Sequence, residues 1–391
     1  MIIALAVLGG VLLAGAFKIL RGVYYIRKAK ALEAEIDVLN GRTRAIESEQ
    51  EAAEKATEAA EEAERAATAV AQGFVPEAGL DTDNAMPVPP EQTAVLAAVR
   101  AGDWQAAAAY VEAAGQDWQE RMERVRPLAE AAAEEDAWLL AWRAARPSDP
   151  TAALVNADTS VQVAWNVRGS LRASHTTQEQ FRLFHQLLTK AQQDAHEAQR
   201  LAGPADPTPY IVEQPIAFGL GYSHERYREL WAQITGRAPK VLWAHYTALQ
   251  FWCRKWCGSH ELALAFAKES AAAGEPGDLL SLLPLIAYFE KQTDEDDLAV
   301  DTYFKEPEIL AAVDAALADL AAAGAGHRQA PLMRHMLAFL LFWQDRDAEA
   351  VEQFRHIDGH IGAMPWSYSG TPKRRYLYAR DFAVSLVARD A

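Results

Sequence analysis

At 391 residues the chain is long enough to bury one large core with accessory segments. Its net charge of −16 repels nucleic-acid phosphates and anionic headgroups, which argues against a nucleic-acid partner. Two cysteines, Cys253 and Cys257, are too few for a disulfide framework and fit a reducing compartment.

The N-terminus sets an address. Met1 to Phe17 holds no charged residue, and Lys18, Arg21, Arg27, Lys28 and Lys30 follow with no acid among them. The uncharged run falls slightly short of the roughly 20 residues of a spanning helix. Lys18 can reach toward the headgroups, which lets Ile19, Leu20, Val23 and Ile26 lengthen the span. Tyr24 and Tyr25 stand where an interfacial aromatic belt is expected. A cleaved signal peptide would carry its basic residues before the apolar run and end at a small-residue site. Here the order is reversed, so residues 1–27 are expected to be an uncleaved transmembrane signal anchor. The basic flank then predicts a single-pass protein of the inner (cytoplasmic) membrane, with Met1 outside and the bulk of the chain cytoplasmic.

Residues 28–72 read as one long acidic helical stalk. Leu32, Leu39, Ile46, Ala53, Ala60 and Ala67 recur every seven residues. Ile36 fills the partner position once, before Thr43, Gln50, Thr57 and Glu64 take it over. Two readings follow: a weak coiled coil that makes a homo-oligomer, or a single solvated helix acting as a spacer. Residues 73–92, with Gly73, Pro76, Gly79, Pro87, Pro89 and Pro90, cannot continue a helix and are expected to be a flexible or semi-extended linker.

Residues 93–391 repeat one local design: a helix rich in large apolar residues, a short polar turn, and a returning helix of small and aromatic residues. Leu332 to Asp358 shows it best, turning at Gln344-Asp345-Arg346 and returning through Ala348, Ala350, Val351 and Phe354. Val95 to Ala114 turns at Gly102-Asp103-Trp104, and Leu242 to Ala272 turns at Gly258-Ser259-His260. A looser copy has Trp165 before a long turn and Phe181, Phe184, Leu187 and Leu188 after it. Small residues on one helix let the other approach closely. Trp343 to Ala350 and Ala101 to Ala107 resemble the turn and second helix of a tetratricopeptide (TPR) repeat. Trp243 to Ala267, with Ala205-Asp206-Pro207-Thr208-Pro209-Tyr210, resembles an uncharacterised bacterial family of TPR-like α-helical repeat proteins. The resemblance covers roughly residues 136–365. It implies an irregular α-solenoid and brings no known activity.

Candidate chemistry is sparse. Cys253 and Cys257, four apart on a predicted helix, with His260 at the turn, form a weak candidate metal set whose plainer reading is buried thiols. His356 and His360 flank a helix end, and Asp294, Glu295, Asp296, Asp297 and Asp301 form an acidic run that lacks Ca²⁺-loop spacing. No phosphate-binding loop, nucleophile elbow or zincin motif occurs, so neither an enzyme nor a cofactor is expected. Trp366, Tyr368, Lys373, Arg374 and Arg375 make an aromatic and basic stretch in an acidic chain. It reads either as a docking surface for an acidic or extended peptide or as a C-terminal cap.

The fold expected is therefore all-α: a transmembrane helix, a stalk, and an irregular TPR-like α-solenoid. The function expected is a membrane-anchored scaffold or adaptor for a protein or peptide partner at the cytoplasmic face. The competing expectations are a metal-binding or enzymatic domain centred on Cys253, Cys257 and His260, and an extracytoplasmic repeat protein of the cell envelope.

Overall fold

The computed structural model describes residues 2–169, 177–295, 297–324, 326–368 and 370–390, with the side chains of residues 2–19, 34 and 390 left out. The chain is all-α: among the described residues the one departure from helices and turns is a lone bridge between Asp81 and His360. It divides into two units, residues 1–67 and 68–391.

The first unit lies within one continuous helix, α1 (Ile2–Ala71). Among the described residues no helix is long and apolar enough to cross a membrane. The apolar run behind the anchor expectation, residues 1–17, lies outside the described side chains. Lys18 lies there too, whereas Arg21, Arg27, Lys28 and Lys30 are exposed.

The second unit is built from helices that pack chiefly against their sequence neighbours: α2 (Pro90–Arg100), α3 (Trp104–Glu112), α4 (Trp118–Glu134), α5 (Ala137–Ala145), α6 (Pro150–Arg168), α7 (Gln178–Leu201), α8 (Thr208–Leu220), α9 (His224–Thr235), α10 (Leu242–Trp252), α11 (His260–Ala273), α12 (Leu282–Asp294), α13 (Val300–Tyr303), α14 (Pro307–Ala323), α15 (Ala330–Trp343), α16 (Asp347–Ile357) and α17 (Pro372–Asp390). The starts follow from capping chemistry. Asp103, Asp117, Asp149, Ser223 and Ser259 each accept a backbone N–H of the first turn, and Thr177 with Gln180 forms a capping box. Pro90, Pro150 and Pro307 open helices where no N–H is needed.

Helical pairs supply the core. The α6–α7 pair shares the most extensive contact of the helix pairs among the described residues. Ala152, Ala153, Ala157 and Ala164 on one helix and Ala191, Ala195 and Ala198 on the other are all buried, so the two backbones approach without large side chains between them. In the α15–α16 pair the turn runs through Asp345 at φ 57, a left-handed conformation that Asp tolerates better than most residues. The α2–α3 turn uses Gly102 at φ 90. The α10–α11 turn corrects the sequence reading. The helix ends at Trp252, and Cys253 adopts an extended conformation. The following five residues fold back so tightly that a Cβ on Gly258 would lie 1.9 Å from the Trp252 carbonyl oxygen. Cys253 and Cys257 therefore share no helix face.

Residues 73–89, expected to be a flexible linker, are instead a strap bound along the C-terminal helices. Its carbonyls are held from outside: Arg380 donates to the Val75 oxygen (2.6 Å), Lys373 to that of Glu77 (3.4 Å) and His335 to that of Ala85 (3.0 Å). Asp81 N–H donates to the Gly359 oxygen, and Ile361 and Gly362 N–H donate to those of Asp81 and Asn84. The Asp81 carboxylate accepts from Asn84 Nδ2 and from the Asp83 and Asn84 backbone; the Asn84 side chain is the main cause of a pKa lowered to about 2. A Cβ on Gly362 would come within 2.5 Å of the strap backbone, so this position demands glycine. Prolines forbid a helix here, but the strap's backbone groups still find partners.

Candidate functional site

Between α10, α12, α15, the strap and the loop after α16 lies an open cleft of about 220 Å³. Trp243 and Tyr246 come from α10, Ile286 from α12, Leu332 and Met336 from α15, and Met364 and Tyr368 from the loop. Trp243 and Tyr246 stack at 5.8 Å and 20°, one turn apart on α10. The Trp243 backbone N–H donates to Gln119 Oε1 of α4 (2.9 Å), and Arg126 of the same helix lies 5.8 Å from its ring centre. Gln119 in turn donates to Glu123, which also receives Gln329 and Arg328. One edge of the cleft is thus fixed by a polar network joining α4 to the residues just before α15.

The opposite edge is Tyr368. Its ring meets Phe289 edge-on at 5.6 Å, and its hydroxyl donates to Glu290 Oε1 (2.8 Å). Glu290 is buried and also receives Lys255 (2.6 Å) and Gln250 (3.4 Å), so its charge is paired. Burial, helped by Glu290, pushes the Tyr368 phenol far above its ordinary range. At neutral pH the tyrosine is an apolar ring with one committed donor.

Behind the loop stands a fully buried relay. Trp366 Nε1–H donates to His335 Nδ1 (3.1 Å), which requires His335 to carry its proton on Nε2 and donate it to Ala85. Loop, α15 and strap are tied by one neutral imidazole. Burial pushes its pKa down to about 4, with the nearby His360 acting in the same direction and the Ala85 carbonyl opposing. The sign follows from linkage. The unfolded chain takes up this proton below about pH 6.5 and the folded chain only near pH 4. Stability should therefore fall as pH drops through that window, by about 3 kcal/mol from this group. Urea midpoints at pH 7.5 and 4.5 check this: His335→Gln should show a smaller loss between the two than the native chain.

The predicted docking residues are split by the structure. Tyr368 lines the cleft, but Trp366 is fully buried against Phe339, Phe354 and Tyr376 and cannot dock a partner. Arg375 is turned inward over the Phe339 ring (4.8 Å) and donates to the Pro365 oxygen. Lys373 holds the strap, and Arg374 is exposed. Conversely, Trp243, Tyr246, Leu332 and Met336 lie within the expected hairpins Leu242 to Ala272 and Leu332 to Asp358 and are not among the expected docking residues. Their helical spacing suits a core as well as a cleft wall, and only the i,i+3 aromatic pair on α10 could have drawn notice.

The weak metal set is not assembled. Among the described residues no group of three or more His, Cys, Asp or Glu is placed to hold a metal ion. Cys253 is buried, and desolvation with the Glu290 charge pushes its thiol up to about 12. Cys257 is half-buried and also raised. His260 faces Asp294 (3.2 Å) and Glu295 (3.4 Å) instead of either sulfur. Of the other histidines considered, His356 pairs with Glu352, while His360 meets Asp81. No protein-family model, curated protein or solved structure matches the chain.

Proposed function

We propose that this protein is a membrane-anchored scaffold of TPR-like helical pairs that holds a protein partner at the cytoplasmic face of the inner membrane. The partner is gripped through an apolar side chain of an extended segment, inserted between Trp243, Tyr246 and Tyr368. The observation that carries this reading is the open, aromatic-lined cleft itself. Its volume of about 220 Å³ is below the roughly 300–1,000 Å³ of small-molecule sites. A volume of this order suits one or two apolar side chains of a partner. Rigid aromatics converging on a pocket are the anchors that dominate peptide affinity elsewhere. The chain's α-helical pairs supply a fixed frame for them.

Two tests apply. Peptides selected from a displayed random library against the full chain should share an aromatic or branched apolar anchor; selected sequences without one would remove the cleft reading. Protease added to sealed inner-membrane vesicles should digest residues 93–391 only when the cytoplasmic face is exposed. Digestion from the outer face alone would place the protein in the cell envelope instead.

A further inference from the structure

We infer that residues 28–49 form a parallel, in-register, two-stranded coiled coil with a second copy of this chain. The inference rests on α1 alone and not on the cleft. Leu32, Ile36, Leu39 and Ile46 are 50%, 54%, 54% and 55% exposed, on one helix and at alternating spacings of four and three residues up to Leu39, then seven. That is a d–a–d–d seam with Thr43 at the intervening a position, its hydroxyl turned back onto the Leu39 carbonyl (3.1 Å). Among the described residues these four large apolar side chains stand exposed in one row on the helix.

Charge identifies the occupant. When two copies lie parallel, each g position faces the e position of the next heptad on the other helix. Lys28 then meets Glu33 of the second copy, and Arg42 meets Glu47 of the second copy. Glu35 meets Asn40 and repels nothing. The ion pairs within this helix, Lys55–Glu51 and Arg65–Glu61, lie further along, and among the described residues Lys28, Glu33, Arg42 and Glu47 have no ion-pair partner in their own chain. The next step sets Glu49 against Glu54, which ends the attraction where the seam turns to Gln50 and Ala53. Parallel packing also layers Leu32, Ile36, Leu39 and Ile46 each on its own copy. An antiparallel pair would set Thr43 against Leu32 and Ala29 against Ile46, mixing polar or small residues with large ones.

Sedimentation of the full chain in mild detergent tests this. The native chain should be dimeric at roughly 50 µM, and Arg42→Glu should weaken dimerisation about tenfold or more by facing Glu47 with a like charge. Adding Glu47→Arg to Arg42→Glu should restore it to within about threefold. The residues are exposed, so neither change should alter helix content by circular dichroism. Cysteines placed at Leu32 or at Ile46 should each cross-link to the same position of the second copy. A monomeric native chain, a double variant no tighter than Arg42→Glu, or cross-linking only between a Leu32 variant and an Ile46 variant would each overturn the inference.

Discussion

Trp366→Ala should lower the stability of the 68–391 unit by about 4 kcal/mol, among the largest effects available to one substitution here. The indole is fully buried and packs on Phe339, Phe354 and Tyr376 at centroid distances of 5.8, 6.0 and 5.3 Å. Removing it opens a cavity and takes away the donor that sets the tautomer of His335, so the strap loses a fixed partner at Ala85. Trp366→Phe should recover most of the packing and none of the hydrogen bond, and fall between the two. Urea unfolding followed by far-UV circular dichroism measures all three. A Trp366→Ala chain within about 1 kcal/mol of native would show that the loop, and not the core, holds this side chain.

Trp243→Ala should reduce affinity for a cleft-binding peptide on the order of 100-fold while leaving the chain folded. Trp243 is half-buried and stacks on Tyr246, and the loss of one central aromatic anchor typically costs 2 kcal/mol or more, roughly a factor of 30 or greater. Tyr368→Ala should cost about tenfold, because the ring forms one wall and its hydroxyl is already committed to Glu290. Glu290 keeps Lys255 and Gln250 in that variant, so no unpaired buried charge confuses the result. Arg374→Glu should change affinity less than about twofold, since this exposed cation is not among the lining residues. Titration calorimetry with one library-selected peptide gives the three values. Equal losses for Trp243→Ala and Arg374→Glu would move binding off the cleft.

Local rules carried much of the architecture. Asp103, Asp117, Asp149, Thr177, Ser223 and Ser259 are short-range signals, and each begins a helix. The α15–α16 and α2–α3 pairs were legible because large apolar periodicity, a Gly or Asp turn and an Ala-rich return sit within thirty residues. What was not legible depended on distant partners. The Pro and Gly residues of the strap forbid a helix, but nothing local announces that Arg380, His335 and Gly362, hundreds of residues away, donate to its backbone carbonyls. Cys253 and Cys257 kept a helical spacing that the tight return at Gly258 breaks. Trp366 and Tyr368, two residues apart, read as one aromatic patch, yet one is core and the other cleft wall. Exposure is decided by which helix packs on the loop, and that is a tertiary fact.

The cleft is also bracketed by reporters. Of the six methionines, Met336 and Met364 line it, whereas Met122 is buried in α4 outside the lining. Methyl-labelled methionine NMR of the full chain, titrated with a selected peptide, tests the central claim most directly. The account predicts that the Met336 and Met364 methyl resonances shift together in proportion to bound peptide while Met122 stays in place, and that Trp243→Ala abolishes the shifts at the same concentration. Saturable binding that leaves Met336 and Met364 unmoved would contradict it.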